Sequence, residues 1–187
     1  SARGNSLCTL LRQINTIKGD FWVRLHYTHP AHWSDELIQT VAGCDKVAKY
    51  VDIPLQHISD RMLTAMKRVT TGDYIRDLLR RMRAGIPGLG IRTTFIVGFP
   101  GETEEDFEHL LSWLREARLE RVGCFKYEPV SGARANDLGL PQVPDAVKQE
   151  RWDRFMEAQQ QISAAIFQSK VGREIDGLAI GQTAQRE

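Results

Sequence analysis

The chain has 187 residues, 42% of them apolar, and a formal net charge of +1. That is enough for one domain with a real core and short for an eight-unit barrel, and the near-neutral balance leaves no footprint for a polyanion such as RNA. No stretch approaches the roughly 20 apolar residues of a membrane span, and Cys8, Cys44 and Cys124 form neither a disulfide framework nor a zinc motif, so a reduced cytoplasmic protein is expected.

From Leu7 the spacing of Leu10, Leu11, Ile14 and Ile17 predicts a helix that stops at Gly19. Phe21 to Tyr27 reads as a first strand, ended by Thr28-His29-Pro30. Ser34 caps a short helix with Leu37, Ile38 and Val41 inward and Gly43 at its end. A second strand is expected over Tyr50 to Leu55, with Pro54 near its end because proline lacks the N–H a central strand needs. Ser59 opens one helix, with Met62, Leu63 and Met66, and Thr71 another, with Ile75, Leu78, Leu79 and Met82 inward.

The stretch from Ile91 to Glu102 joins a strand to a helix. Its unbroken apolar run suits a parallel strand covered on both faces. Gly98, Pro100 and Gly101 then turn the chain, and Thr103-Glu104-Glu105-Asp106 starts a helix with Phe107, Leu110, Leu111 and Leu114 on one side. Arg121 to Tyr127 is the fourth strand. A long loop over residues 132–144 precedes a final helix that begins near Pro144, taken as its first helical residue, and runs towards Lys170 with Trp152, Phe155, Ile162 and Ile166 at helical spacing. The stretch Ile175 to Ile180 is a short strand-like segment.

Four strands each followed by helix predict an α/β fold, a parallel sheet with right-handed crossovers that need not close. The carboxyl ends of such strands share one side, so His26, His29, Gln56, His57, Gly98, Glu102, Tyr127 and Glu128 should converge there. The histidine spacing matches no metal-ligand motif, and hydrogen bonding to backbone or ligand is the simpler role. Glu102 and Glu128 suit either paired carboxylates for hydrolysis or plain turn and helix-start chemistry. Gly-Phe-Pro-Gly suits either a cradle for a phosphate or nucleoside or a tight turn.

Taken together, Asp52-Ile53-Pro54-Leu55-Gln56-His57, Arg92 to Thr103, and Phe125-Lys126-Tyr127 with Pro129 to Ala133 and Asn136 are far more specific than any one piece. The set resembles the radical SAM methylthiotransferases, in particular the branch that acts on a small-subunit ribosomal protein, and the resemblance covers nearly the whole chain. It implies an enzyme that adds a methylthio group to the β-carbon of an aspartate, using S-adenosylmethionine (SAM) and 4Fe-4S clusters, with a reductant protein as partner and no membrane. It also implies a partial parallel (β/α) barrel of radical SAM type, of which this chain supplies the last four strands with flanking helices and a long C-terminal helix. Residues 1–170 would be this partial core and 171–187 the start of a TRAM-like, RNA-binding-like domain. The family's Cys-x-x-x-Cys-x-x-Cys motif is not in the sequence, so the chain is expected to be inactive alone, with no catalytic or metal-binding residue of its own. By the same resemblance Gln56, His57, Thr94, Ile96, Gly98, Pro100, Glu102 and Tyr127 would line the cofactor pocket. Glu128 stands where the family usually has a small residue. The sister tRNA adenosine branch shares the Gly-Phe-Pro-Gly-Glu turn. A non-catalytic SAM- or protein-binding fragment and a barrel lyase or hydrolase are the remaining alternatives.

Overall fold

A computed structural model describes residues 6–173, so the segment expected to be strand-like at Ile175 to Ile180 lies outside it. Among the described residues no helix is long and apolar enough to cross a membrane.

The chain alternates helix and strand: α1 (Leu7–Asn15), β1 (Val23–Leu25), α2 (Asp35–Gly43), β2 (Val47–Asp52), α3 (Asp60–Ala65), α4 (Gly72–Gly85), β3 (Gly90–Val97), α5 (Glu104–Ala117), β4 (Arg121–Lys126) and α6 (Asp145–Gln168). The four strands make one sheet in the order β1-β2-β3-β4, every neighbour pair parallel. This is the expected partial α/β barrel sheet.

The helix starts follow their sequence signals. Ser34 and Thr71 accept the backbone N–H of Leu37 and Tyr74, and Thr103 and Asp106 form a reciprocal capping box at the head of α5. Leu37, Ile38 and Val41, then Ile75, Leu78, Leu79 and Met82, then Phe107, Leu110, Leu111 and Leu114 are buried as their periodicity requires.

Other elements differ from expectation. The first strand shrinks to three residues, and Trp22 and Tyr27 on either side of it are exposed. On α1 the buried side chains are Cys8 and Leu11, whereas Leu7 and Leu10 are exposed. The second strand lies three residues earlier than its composition suggests and ends before Pro54, because a residue without N–H drops out of the ladder; contact with β3 resumes at Gln56. Pro144 has extended backbone and is the N-cap of α6 rather than its first helical residue.

The most consequential difference concerns β3. Its burial alternates, with Ile91, Thr93, Phe95 and Val97 buried and Arg92, Thr94 and Ile96 not. Helices cover one face only: the Phe95 ring meets Trp113 of α5 at 5.8 Å and Phe155 of α6 at 5.6 Å. The opposite face stays open, and a parallel strand with one open face regains the alternation that full burial erases.

Asp106 joins the starts of α3 and α5. It accepts hydrogen bonds from Thr103 N–H (3.0 Å), Thr103 Oγ1 (2.8 Å) and Ser59 Oγ (2.7 Å), and it pairs with Arg61. Burial alone would raise its carboxyl, but these donors outweigh burial and hold it down to about 2. A depressed carboxyl stabilises the fold above its unfolded value near about 4 and loses that contribution as pH falls towards its folded value. Thermal melts should therefore show stability dropping between about pH 4 and pH 2. Asp106→Asn should lower stability at neutral pH by about 1–3 kcal/mol and flatten that acid limb.

Candidate functional site

The site forms where the strands end. After Pro54 the chain makes one more pairing with β3: Gln56 N–H donates to Thr94 O (2.8 Å), and Gln56 O accepts from Ile96 N–H (2.9 Å). To make both bonds Gln56 takes a left-handed backbone, φ +73°, which a non-glycine residue adopts only when its surroundings impose it. Its side-chain Oε1 is buried and has no hydrogen-bond partner among the described residues. A buried carbonyl oxygen without a donor is costly, so this one marks a place where an external N–H or O–H fits.

Gln56 lines a cleft of about 520 Å³. Ile96 and Phe99 come from the end of β3 and its turn, Met66 and Arg68 from the link between α3 and α4, and Arg134 and Leu138 from the loop after β4. The lining is largely apolar with cationic edges, and burial depresses the Arg68 guanidinium below its ordinary value.

Beneath the cleft lies a buried polar lattice. His57 accepts the Ser59 N–H at Nδ1 (3.0 Å), so a neutral ring carries its proton on Nε2, which donates to Glu102 Oε1 (3.2 Å). Glu102 Oε2 accepts from Gly98 N–H (2.7 Å) and from Arg151 Nη1 (2.7 Å). Arg151 donates in turn to Glu104 Oε2 (3.1 Å from Nη2). The His57 and Glu102 side chains are wholly enclosed. Charged residues in such a place persist only when paired and hydrogen-bonded, as here.

The turn from Gly98 to Glu102 is clamped from several directions. Gly98 has φ +73°, and a Cβ there would sit 2.3 Å from Lys148 Cγ. Gly101 N–H donates to Pro141 O (2.8 Å), and Arg61 Nη2 donates to Gly101 O (2.8 Å). Tyr127, just past β4, is buried, meets the Phe99 ring edge-on at 5.1 Å, and donates through its hydroxyl to Asn136 (2.8 Å).

The residues singled out from sequence thus divide by depth. Gln56 and Ile96 line the cleft, and Thr94 is half-buried on the same open face of β3. Gly98, Pro100 and Glu102 belong to the enclosed turn beneath, His57 is hydrogen-bonded to it through Glu102, and Tyr127 supports Phe99 from the side. His29 is not part of the cleft: it accepts Ala31 N–H (3.2 Å) across a short turn, with its pKa lowered by burial and by nearby Arg68 and His32. Glu128 is exposed while Glu102 is enclosed, so the two carboxylates do not face one cavity. Among the described residues no three His, Cys, Asp or Glu side chains are grouped to hold a metal. The three cysteines are buried, and burial followed by the nearby Glu102 carboxylate pushes the Cys124 thiol up, so it remains protonated.

Sequence reasoning missed Phe99, Arg68, Arg134 and Arg151. Arg151 had a usable signal: it falls on the same helical stripe as Phe155 and Ile162, and a charge on an apolar stripe announces a buried partner. Arg68 and Arg134 had none, because they reach the cleft from connecting loops.

Residues 6–114 match the radical SAM superfamily. This chain belongs to that superfamily. The radical SAM chain is 57% identical over 175 residues to the ribosomal protein uS12 methylthiotransferase RimO of Opitutus terrae, a match covering 94% of this chain and 37% of that protein. It is 51% identical over 175 residues to the protein of the same name from Akkermansia muciniphila, covering 94% and 38%. The chain therefore spans little more than a third of the length of these relatives. The backbone resembles that of the radical SAM enzyme coproporphyrinogen III oxidase (HemN) from Escherichia coli, with a TM-score of 0.59 and 18% identity over 87% of this chain and 36% of that one, a likeness of fold.

Proposed function

We propose that the polypeptide carrying this chain is a radical SAM methylthiotransferase that adds a methylthio group to the β-carbon of an aspartate in the small-subunit ribosomal protein uS12. The observation that carries this reading is the 57% identity, over 94% of the chain, to a protein of that name. We further propose that SAM lies with its adenosine over Gln56, Ile96 and Phe99. The residues fit: an adenosine offers a flat apolar surface to Ile96 and Phe99, and an amine or hydroxyl to the orphaned Gln56 oxygen. Once bound, SAM supplies the reactive fragment for hydrogen removal. Gln56 fixes its orientation, the aromatic and aliphatic floor excludes water, and the His57–Glu102–Arg151 lattice holds that floor in place.

The described residues do not fit an iron-sulfur cluster, since they bring no three ligands together. Cluster ligands therefore belong to parts of the enzyme other than these residues.

The test is to reconstitute, without oxygen, the longest product that contains this chain and to offer it uS12 and tRNA separately. A mass gain of one methylthio group in place of hydrogen on a uS12 aspartate is expected. A gain on a tRNA adenosine instead would overturn the substrate assignment. Gln56→Asn keeps a residue that tolerates the left-handed backbone but withdraws the acceptor by one methylene. It should weaken SAM binding about 5- to 10-fold by calorimetry, and unchanged affinity would remove Gln56 from the cofactor site.

A further inference from the structure

The more open face of the sheet holds a second set of charges, separate from the cleft. Alternation along β3 puts Arg92 on that face with Thr94 and Ile96. Asp52 shares the face, because its Oδ2 accepts from Arg92 Nη1 at 2.6 Å. Tyr50, two residues earlier on β2, carries Arg24 over its ring at 4.3 Å, and the His26 ring lies 6.1 Å from the same ring with Nδ1 3.6 Å from Asp52 Oδ2. Arg121 is the register partner of Arg92 on β4. Arg92 and His26 therefore meet one carboxylate and Arg24 stacks on the neighbouring Tyr50, whereas the Arg121 guanidinium lies over Phe167 of α6 at 5.0 Å.

That carboxylate is already spent. Asp52 is 1% exposed and its close ion pair is with Arg92, whereas the Arg92 side chain is 48% exposed. Only Nη1 of Arg92 has a partner, which leaves the rest of its planar fork open, and neither Arg24 nor Arg121 has an ion-pair partner among the described residues. A cavity of about 670 Å³ lies between Arg92, Arg121 and Gly123 of the sheet and Trp152, Met156 and Gln160 of α6. The wall of that cavity also carries Glu120, Asp153 and Glu157, so the part of this face that attracts an anion is the free edge of Arg92 together with Arg24, which lies over Tyr50 on the β2 side.

We propose that Arg92, anchored by Asp52, receives the carboxylate of the substrate's target aspartate, with Arg24 strengthening the field around it. The proposal deepens the methylthiotransferase reading and rests on it. A guanidinium fork pinned at one nitrogen presents its remaining N–H groups in a fixed plane, the geometry that suits a carboxylate. The near-neutral chain favours a single acidic side chain over a polyanion. Four residues of β3 separate Arg92 from Ile96, about 13 Å along the strand. That distance accommodates the arginine side chain and one residue of polypeptide below the cleft.

The experiment is a binding cycle on the reconstituted full-length enzyme, using a uS12 peptide that contains the target aspartate and the same peptide with asparagine there. For the unmodified enzyme the asparagine peptide should bind roughly 10- to 100-fold more weakly. Arg92→Gln should weaken the aspartate peptide by a similar factor, leave the asparagine peptide nearly unchanged, and leave SAM affinity intact. Because Arg92→Gln strands a buried Asp52, Asp52→Asn with Arg92→Gln is run beside it and should show the same loss of discrimination. Arg24→Gln should reduce discrimination by a smaller factor. Equal weakening of both peptides, or preserved discrimination in the double variant, overturns the inference while leaving the function standing. An unmodified enzyme that modifies tRNA and not uS12 overturns the function itself, and this inference with it.

Discussion

Glu102→Gln is expected to destabilise the chain by about 3–5 kcal/mol, the cost of breaking a buried ion pair. The reason lies in the direction of each hydrogen bond. Glu102 receives three: from His57 Nε2, from Gly98 N–H and from Arg151 Nη1. A carboxamide has one accepting oxygen, and its NH2 group would face a donor wherever it is placed. The His57 ring cannot adapt by moving its proton to Nδ1, because Ser59 N–H already points there. Arg151→Met should cost a similar amount by leaving Glu102 charged and enclosed. The pair Glu102→Leu with Arg151→Met, which removes both charges, should recover a substantial part of the loss. Chemical denaturation of the four proteins decides the matter, and a cost below about 1 kcal/mol for either single variant would mean that the lattice is not a closed ion pair.

Gly98→Ala carries the second large effect. The left-handed backbone at this position costs a non-glycine residue about 1–2 kcal/mol. The new methyl would also overlap Lys148, whose Cγ would lie at 2.3 Å and whose Cβ and Cδ at 3.1 Å. Lys148 is itself enclosed in the first turn of α6, so the helix start must shift, adding about 1–3 kcal/mol of overpacking. Combining Gly98→Ala with Lys148→Ala should relieve the steric part and leave the backbone part, a coupling of about 1–2 kcal/mol in denaturation measurements. Strict additivity of the two substitutions would show that α6 does not rest on this turn.

The helices were legible because their signals are local. Ser34, Thr71 and Thr103 cap the residues that follow them, and the apolar stripes of α2, α4 and α5 need only 3.6-residue counting. Strand limits were less so. Val47 to Asp52 and Tyr50 to Leu55 are equally apolar, and only pairing with β3 decides between them. The open face of β3 was invisible because it depends on what does not pack there, which no run of residues records. At the site, Gln56 and Ile96 follow from the rule that strand ends collect ligand-facing residues. The enclosure of His57 and Glu102 does not, since it depends on Arg151 arriving from a helix 49 positions downstream.

The pairing of the sheet is uneven across its width. Six register pairs tie β3 to β4, whereas β1 contributes three residues and a register irregularity against β2. The free energy needed to open the sheet locally therefore falls from β4 towards β1, and fluctuations enter from the β1 side. Gln56 and Ile96 are bonded to the stiff half, while Arg24 rides on the loose one. An anion bridging Arg24 and Arg92 would tie the two halves together, so substrate capture would cost ordering entropy at β1 and return it as a quieter, more cooperative sheet.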